Sequence, residues 1–241
     1  YERDSASARA AFVETALEER RRLRYEHPVG GTANVFAMVR HRRLWERRPG
    51  DEDFLSVPFG LATRPSAAFL TESSGDQPSK EHHDLWGMPV LVDLGATGSV
   101  AVIGDRARAR AVVRSLLMGV AVTHAPSEVK VWMFAANDSE REWSALRWLP
   151  HASQDDATCR IASTQSDRSN MMSALRQTID ARLESKRSSS EAPPLPMHLV
   201  VVDGTSLLPS ADLSAMLVEG RSVGVIGIVV DTSVAPGGVM G

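Results

Sequence analysis

Two runs of β-branched and aliphatic residues, "MHLVVVDG" (197–204) and "VGVIGIVVD" (223–231), constrain this chain more than any other feature. A strand with one face in water alternates apolar and polar side chains. A strand with almost no polar interruption must be covered on both faces, as central strands of a parallel sheet are. Further short apolar runs precede them: "MPVLVDL" (88–94), "SVAVIG" (99–104), "VKVWMF" (129–134) and "TCRIAS" (158–163). Between them lie segments of helical spacing: about 105–124, a short stretch near 140–147, and a helix whose buried stripe is Met172, Leu175, Ile179 and Leu183, ending in the linker "RSSSEAPPLP". The pattern predicts an α/β fold with a doubly wound, mostly parallel sheet. "GATG" (95–98) reads as a hairpin-like turn between the strands at 88–94 and 99–104.

The N-terminal third has a different rhythm. From Asp4 to about Glu26, Phe12, Ala16, Leu17 and Leu23 recur among charges and predict an amphipathic helix that "HPVGG" stops. A second helix is expected over about 32–43, then a turn at Pro49-Gly50 and a strand carrying Phe54, Val57 and Phe59. "TESSGDQPSKEHHD" (71–84) is polar and unperiodic and reads as a surface loop. The arginine-rich stretches at 19–24 and 40–48 are interleaved with glutamates and read as solvated helix faces.

Composition narrows the classes of function. The net charge is -3 over 241 residues, which gives no electrostatic ground for a nucleic-acid partner. Cys159 is the one cysteine, so no internal disulfide forms, and a reducing compartment is expected. No apolar run reaches the roughly 20 residues of a membrane span. The chain starts at Tyr1 and reads as a segment of something longer. Only Lys80, Lys130 and Lys186 accompany the arginines among 27 basic side chains, a bias expected of a GC-rich genome.

The candidate site is the strand-to-helix turn "SVAVIGDRARARAVV". Set on the phosphate-loop pattern G-x-x-x-x-G-K-[ST], Gly104 takes the first glycine, while Ala109, Arg110 and Ala111 take the places of the second glycine, the lysine and the hydroxyl. A planar guanidinium does not replace an ammonium conservatively. Asp105 stands at the N-cap position, where its carboxylate accepts the first N–H groups of the helix and puts a negative charge where a phosphate would go. "HLVVVDG" has the form of the second nucleotide-site motif, with Asp203 in the place of the magnesium-orienting acid, but Gly204 follows where a second carboxylate often stands. The residues therefore predict a plain strand-to-helix turn with no nucleotide. An unorthodox ATPase using Arg110 and Asp203 is the alternative. His82 and His83 sit side by side, His27, His41, His124, His151 and His198 are scattered, and no metal site is expected. "WSALRWLPH" (143–151) reads as a helix end that anchors Trp143 and Trp148 in the core beside Pro150 and His151, with an interface as the minority reading.

Three strings, "RRLWERRPGDEDFL" (42–55), "WSALRWLPH" (143–151) and "LVVVDGTSLLPSADLSAMLVEGRSVGVIGIVVD" (199–231), resemble the EccC/EssC proteins, the FtsK/SpoIIIE-type ATPases of bacterial type VII secretion. The resemblance runs from about Arg20 to Asp231, over the region between the membrane spans and the first recognised ATPase module. It implies a degenerate RecA-like fold divided into a stalk-proximal helix (1–26), a helix plus β element carrying the signature (27–87) and the RecA-like domain (88–241). Trp45, Arg47, Arg48 and Asp53 become a fold or interface signature, and Trp45 is expected to be largely buried. The resemblance further implies a cytoplasmic module tethered to the bacterial inner membrane by helices outside this segment, and the arginine-rich composition suits an actinobacterial source. Its partners would be other membrane subunits of the secretion complex and downstream ATPase domains of the same chain, with oligomerisation in the full complex. ATP and Mg²⁺ belong to the parent protein, and none is expected in this domain.

Overall fold

The computed structural model describes residues 2–72, 79–153, 159–188 and 196–232. Five strands, β3 (Val100–Ile103), β4 (Val129–Phe134), β5 (Ile161–Ala162), β6 (Met197–Val202) and β7 (Val225–Asp231), form one parallel sheet in the order β3-β7-β6-β4-β5. The two apolar runs are β6 and β7, in the middle of the sheet. Successive side chains of one strand serve opposite layers. Leu199 and Val201 pack with Val113, Leu116, Leu117 and Val120 of α4 (Arg106–Thr123), whereas Val200 and Val202 pack with Met172, Leu175 and Ile179 of α6 (Gln165–Ser188) and Met216 of α7 (Ser210–Val218). Both faces are covered, which is why neither strand alternates. Gly227 lets α7 close on β7, since a Cβ there would collide with the Leu217 side chain.

The N-terminal third stands against this layer. Helix α1 (Glu2–Glu26) lies along a two-stranded antiparallel ribbon of β1 (Ser56–Glu72) and β2 (Ser79–Asp93), burying Ala16 beside Leu85 and Met88 and Phe12 edge-on to the ring of His83. A shorter helix, α2 (Gly31–Met38), packs Ala33 and Phe36 against Val122 of α4. The fold is α/β and RecA-like, with a helical N-terminal extension and a small antiparallel β element.

Several local expectations are corrected. The strands at 88–94 and 99–104 are not a hairpin. Residues up to Asp93 belong to the ribbon and 100–103 to the parallel sheet, and the single helical turn α3 (Leu94–Thr97), capped by the Asp93 carboxylate on Ala96 N at 2.9 Å, carries the chain from one to the other. The polar stretch 71–84 is not a loop throughout: residues 71–72 and 79–84 continue the ribbon, where polar side chains are tolerated because the strands are exposed there. Residues 73–78, and 189–195 of the expected linker, lie outside the described residues. Helix α2 stops at Met38, not 43, because the chain turns through Arg40 at φ 46°. The stretch 40–48 is therefore a set of turns and not a solvated helix face. Phe54 precedes the strand that begins at Ser56, and the division drawn at 87/88 falls inside β2.

Candidate functional site

The site lies at the C-terminal edge of the parallel sheet, where crevices of open α/β folds face their ligands. β3 is followed by Gly104, whose φ of 151° suits glycine, and β6 by Asp203, with β7 between the two strands. Asp105 caps α4: its carboxylate accepts from Arg108 N at 3.1 Å, and its carbonyl accepts from Ala109 N at 2.8 Å. The first turn is thus already helical. Ala109 is buried and Ala111 exposed.

Arg110, 5% exposed, reaches across to Asp203, 2% exposed. Its Nε donates to Oδ1 at 3.0 Å, and its Nη2 lies 2.8 Å from Oδ2. The other arm, Nη1, donates to Glu142 Oε1 at 2.8 Å, from α5 (Glu140–Trp143). Asp203 Oδ2 also accepts from Trp143 Nε1 at 2.9 Å. Burial opposes the guanidinium charge, but the hydrogen bonds and attraction of Asp203, then of Glu142, outweigh it and hold Arg110 above its ordinary value. The two motif positions that a nucleotide site would turn towards phosphate and metal are instead bonded to each other, under a tryptophan.

Trp143 is wholly buried, as is His151, whose Nε2 donates to His124 O at 2.9 Å. Burial pushes the His151 imidazole below its ordinary value. Trp148, by contrast, is 87% exposed, so the reading of both tryptophans as core anchors is corrected: the 3-10 helix over 144–148 turns the second one into solvent. Pro150 lies in the turn that follows, exposed.

The signature "LWERRP" forms a second cluster. Trp45 is 36% exposed, which corrects the expectation of a largely buried ring; its Nε1 donates to Ala121 O at 3.0 Å and the ring stays at the surface. The buried residue is Arg47. It donates from Nη2 to Glu26 O at 3.1 Å and from Nη1 to Ser56 O, lies 2.8 Å from His27 Nδ1, and pairs through Nε with Asp53 Oδ2 at 2.8 Å. Burial lowers its pKa despite the pull of Asp53. One side chain thus ties the end of α1, the signature loop and the start of β1. Its own N–H bonds Thr123 O at 3.0 Å, fixing that bundle to the end of α4. His124 completes the junction, accepting from Leu55 N at 3.0 Å, and burial pushes its pKa down to about 3. Arg48 pairs with Glu128 at 2.8 Å. His82 and His83 lie on β2, and the described residues bring no three metal-ligating side chains together.

Sequence reasoning missed Glu142, the second partner of Arg110, because nothing in spacing ties it to a residue 32 positions earlier. It also missed the pairing of Arg110 with Asp203, 93 positions apart, which only the crossing of α4 over the sheet creates.

The fold and this edge define a RecA-like α/β module whose phosphate-loop and acid positions close on each other. No family model matches the chain. Among curated proteins it is 26% identical to the ESX secretion system protein EccC of Thermomonospora curvata over 92% of this chain and 18% of that protein. It is also 26% identical to the ESX-4 secretion system protein EccC4 of Mycobacterium tuberculosis over 62% of this chain and 13% of that one. Of solved structures, the cytoplasmic domain of the T. curvata type VII secretion ATPase EccC superposes with a TM-score of 0.51 at 20% identity, covering 80% of this chain and 23% of that chain. ATPases 2 and 3 of EssC from Geobacillus thermodenitrificans give 0.52 at 15% identity, covering 80% and 37%. Over most of its length the chain is thus similar to a part of the EccC-type secretion proteins, and its fold is that of EccC and EssC cytoplasmic domains. It spans 18% or less of the length of these curated relatives.

Proposed function

We propose that this segment is the membrane-proximal, non-catalytic module of a type VII secretion motor, coupling a stalk that rises from the inner membrane to downstream ATPase domains of the same chain. It lies on the cytoplasmic side and works in an oligomeric complex with other membrane subunits, without nucleic acid. The observation that carries the non-catalytic reading is the buried Arg110–Asp203 pair.

A nucleotide with Mg²⁺ does not fit these residues. A phosphate loop offers free N–H groups, a lysine and a metal-binding hydroxyl. Here the N–H groups of Arg108 and Ala109 are bonded within the cap, Ala111 has no hydroxyl, and both oxygens of Asp203 are engaged. The coupling role draws support from Arg47, which joins α1 to the body of the α/β layer at one buried point. Calorimetric titration with Mg-ATP tests the reading. No heat of binding at millimolar nucleotide and no hydrolysis are expected. Mg²⁺-dependent binding, or turnover abolished by Asp203→Ala, would establish instead the unorthodox ATPase that uses Arg110 and Asp203.

A further inference from the structure

Helix α1 carries two apolar stripes. Phe12 and Ala16 face the ribbon, whereas Ala6, Ala10, Val13 and Leu17 floor an open groove on another side, walled by Arg9, Glu14 and Arg21. Only α1 residues line that groove. Spacings of four, three and four residues are those of a coiled-coil seam, which places Ala6 and Val13 at d and Ala10 and Leu17 at a. Arg9 then falls at g and Glu14 at the following e. In a parallel pair, g of one helix meets the next e of the other, so Arg9 meets Glu14 twice. In an antiparallel pair g meets g and e meets e, and both contacts are between like charges. The alanines at 6 and 10 permit close approach. Arg20 and Arg24 occupy the next d and a, and Arg20 is already stacked on Trp86 at 3.5 Å, so the seam ends after Leu17 and the two bodies diverge there. Within one chain Arg9 pairs with Glu81 at 2.7 Å, but both side chains are about half exposed, and a solvated pair of that kind yields readily to a competing carboxylate.

We infer that α1 pairs, parallel and in register over residues 6–17, with α1 of a second copy of this chain. The seam shares no residue with the Arg110–Asp203 site, so the failure of either reading leaves the other standing.

Cysteine cross-linking of the whole chain tests this, in a Cys159→Ser background. Ala6→Cys and Leu17→Cys stand at the two ends of the seam, and Thr15→Cys stands on α1 away from it. Unchanged helicity and denaturation midpoints establish that each variant folds. Each seam variant is expected to form disulfide-linked dimers with its own kind about tenfold faster than Thr15→Cys, and adding Glu14→Arg to the Ala6→Cys chain should remove most of that advantage. Seam cysteines that link no faster than Thr15→Cys would overturn the pairing. Linking only when the Ala6→Cys and Leu17→Cys chains are mixed would overturn its parallel sense.

Discussion

Arg47 and Arg110 are both buried arginines at motif positions, yet they are held in different ways. Arg110 sits at the edge of the sheet against a buried carboxylate, with a second acid on its other arm. Arg47 sits between elements and spends its donors on the backbone carbonyls of Glu26 and Ser56, with an Asp53 that is half in water. The first arrangement is a charge pair, and its stability depends on both charges being present. The second is a hydrogen-bonded splice between chain segments, in which the acid is secondary. A buried guanidinium at a strand-to-helix turn can thus be held by a counter-ion from within, whereas a junction between elements needs a multidentate donor whatever its charge balance.

The contrast can be broken at either end. Arg110→Met leaves the Asp203 carboxylate buried without its cation and should cost about 3–5 kcal/mol in urea denaturation. Arg47→Met removes a buried volume and leaves two carbonyls without donors, and should cost about 3–4 kcal/mol. Here, unlike at Arg110, neutralising the acid as well with Asp53→Asn should recover almost nothing. Equal recovery at both sites would erase the distinction.

Acid should loosen the splice as well. Burial first, and then the nearby Arg47, hold His124 at about 3; burial and Arg182 hold His198, on the α6 side of the sheet, at about 3. Both values lie below the 6.5 of the unfolded chain, so below pH 6.5 the unfolded state binds the extra protons. The stability these groups confer is complete above about pH 6.5 and is lost as pH falls towards 3. Between pH 7.5 and 5.5 the two together should cost about 3 kcal/mol, from about 1.4 kcal/mol per unit for each. A flat profile over that range would show that the imidazoles are solvated.

The smallest effects separate the tryptophans. Trp45→Ala should cost about 1–2 kcal/mol, for one hydrogen bond and a partly covered ring. Trp148→Ala should fall within about 0.5 kcal/mol, as substitutions in solvent do. A large cost at Trp148 would return it to the core.

The central strands were legible because burial on two faces leaves its mark in every residue of 197–202 and 225–230, and the long helices α4 and α6 because their apolar stripes repeat. The ribbon was not. The outer half of β2, Ser79 to Asp84, has polar side chains on both faces, so period and composition both point to a loop there. At the site, the positions of Gly104, Asp105, Arg110 and Asp203 followed from motif spacing, but which side chains meet there is a tertiary fact. The tryptophan string shows the same limit: one turn of 3-10 helix separates a wholly buried ring at 143 from an exposed one at 148, and hydrophobicity alone cannot assign them.

The most direct test of the closed site is a double-mutant cycle on Arg110 and Asp203, using Arg110→Met and Asp203→Asn, the latter chosen because its amide oxygen still accepts from Trp143. If the two groups satisfy each other, the double variant will be more stable than the sum of the single losses predicts by about 2–3 kcal/mol. Losses that add to within about 0.5 kcal/mol would mean that the guanidinium and the carboxylate are not coupled, and that the edge of the sheet stands open to a ligand after all.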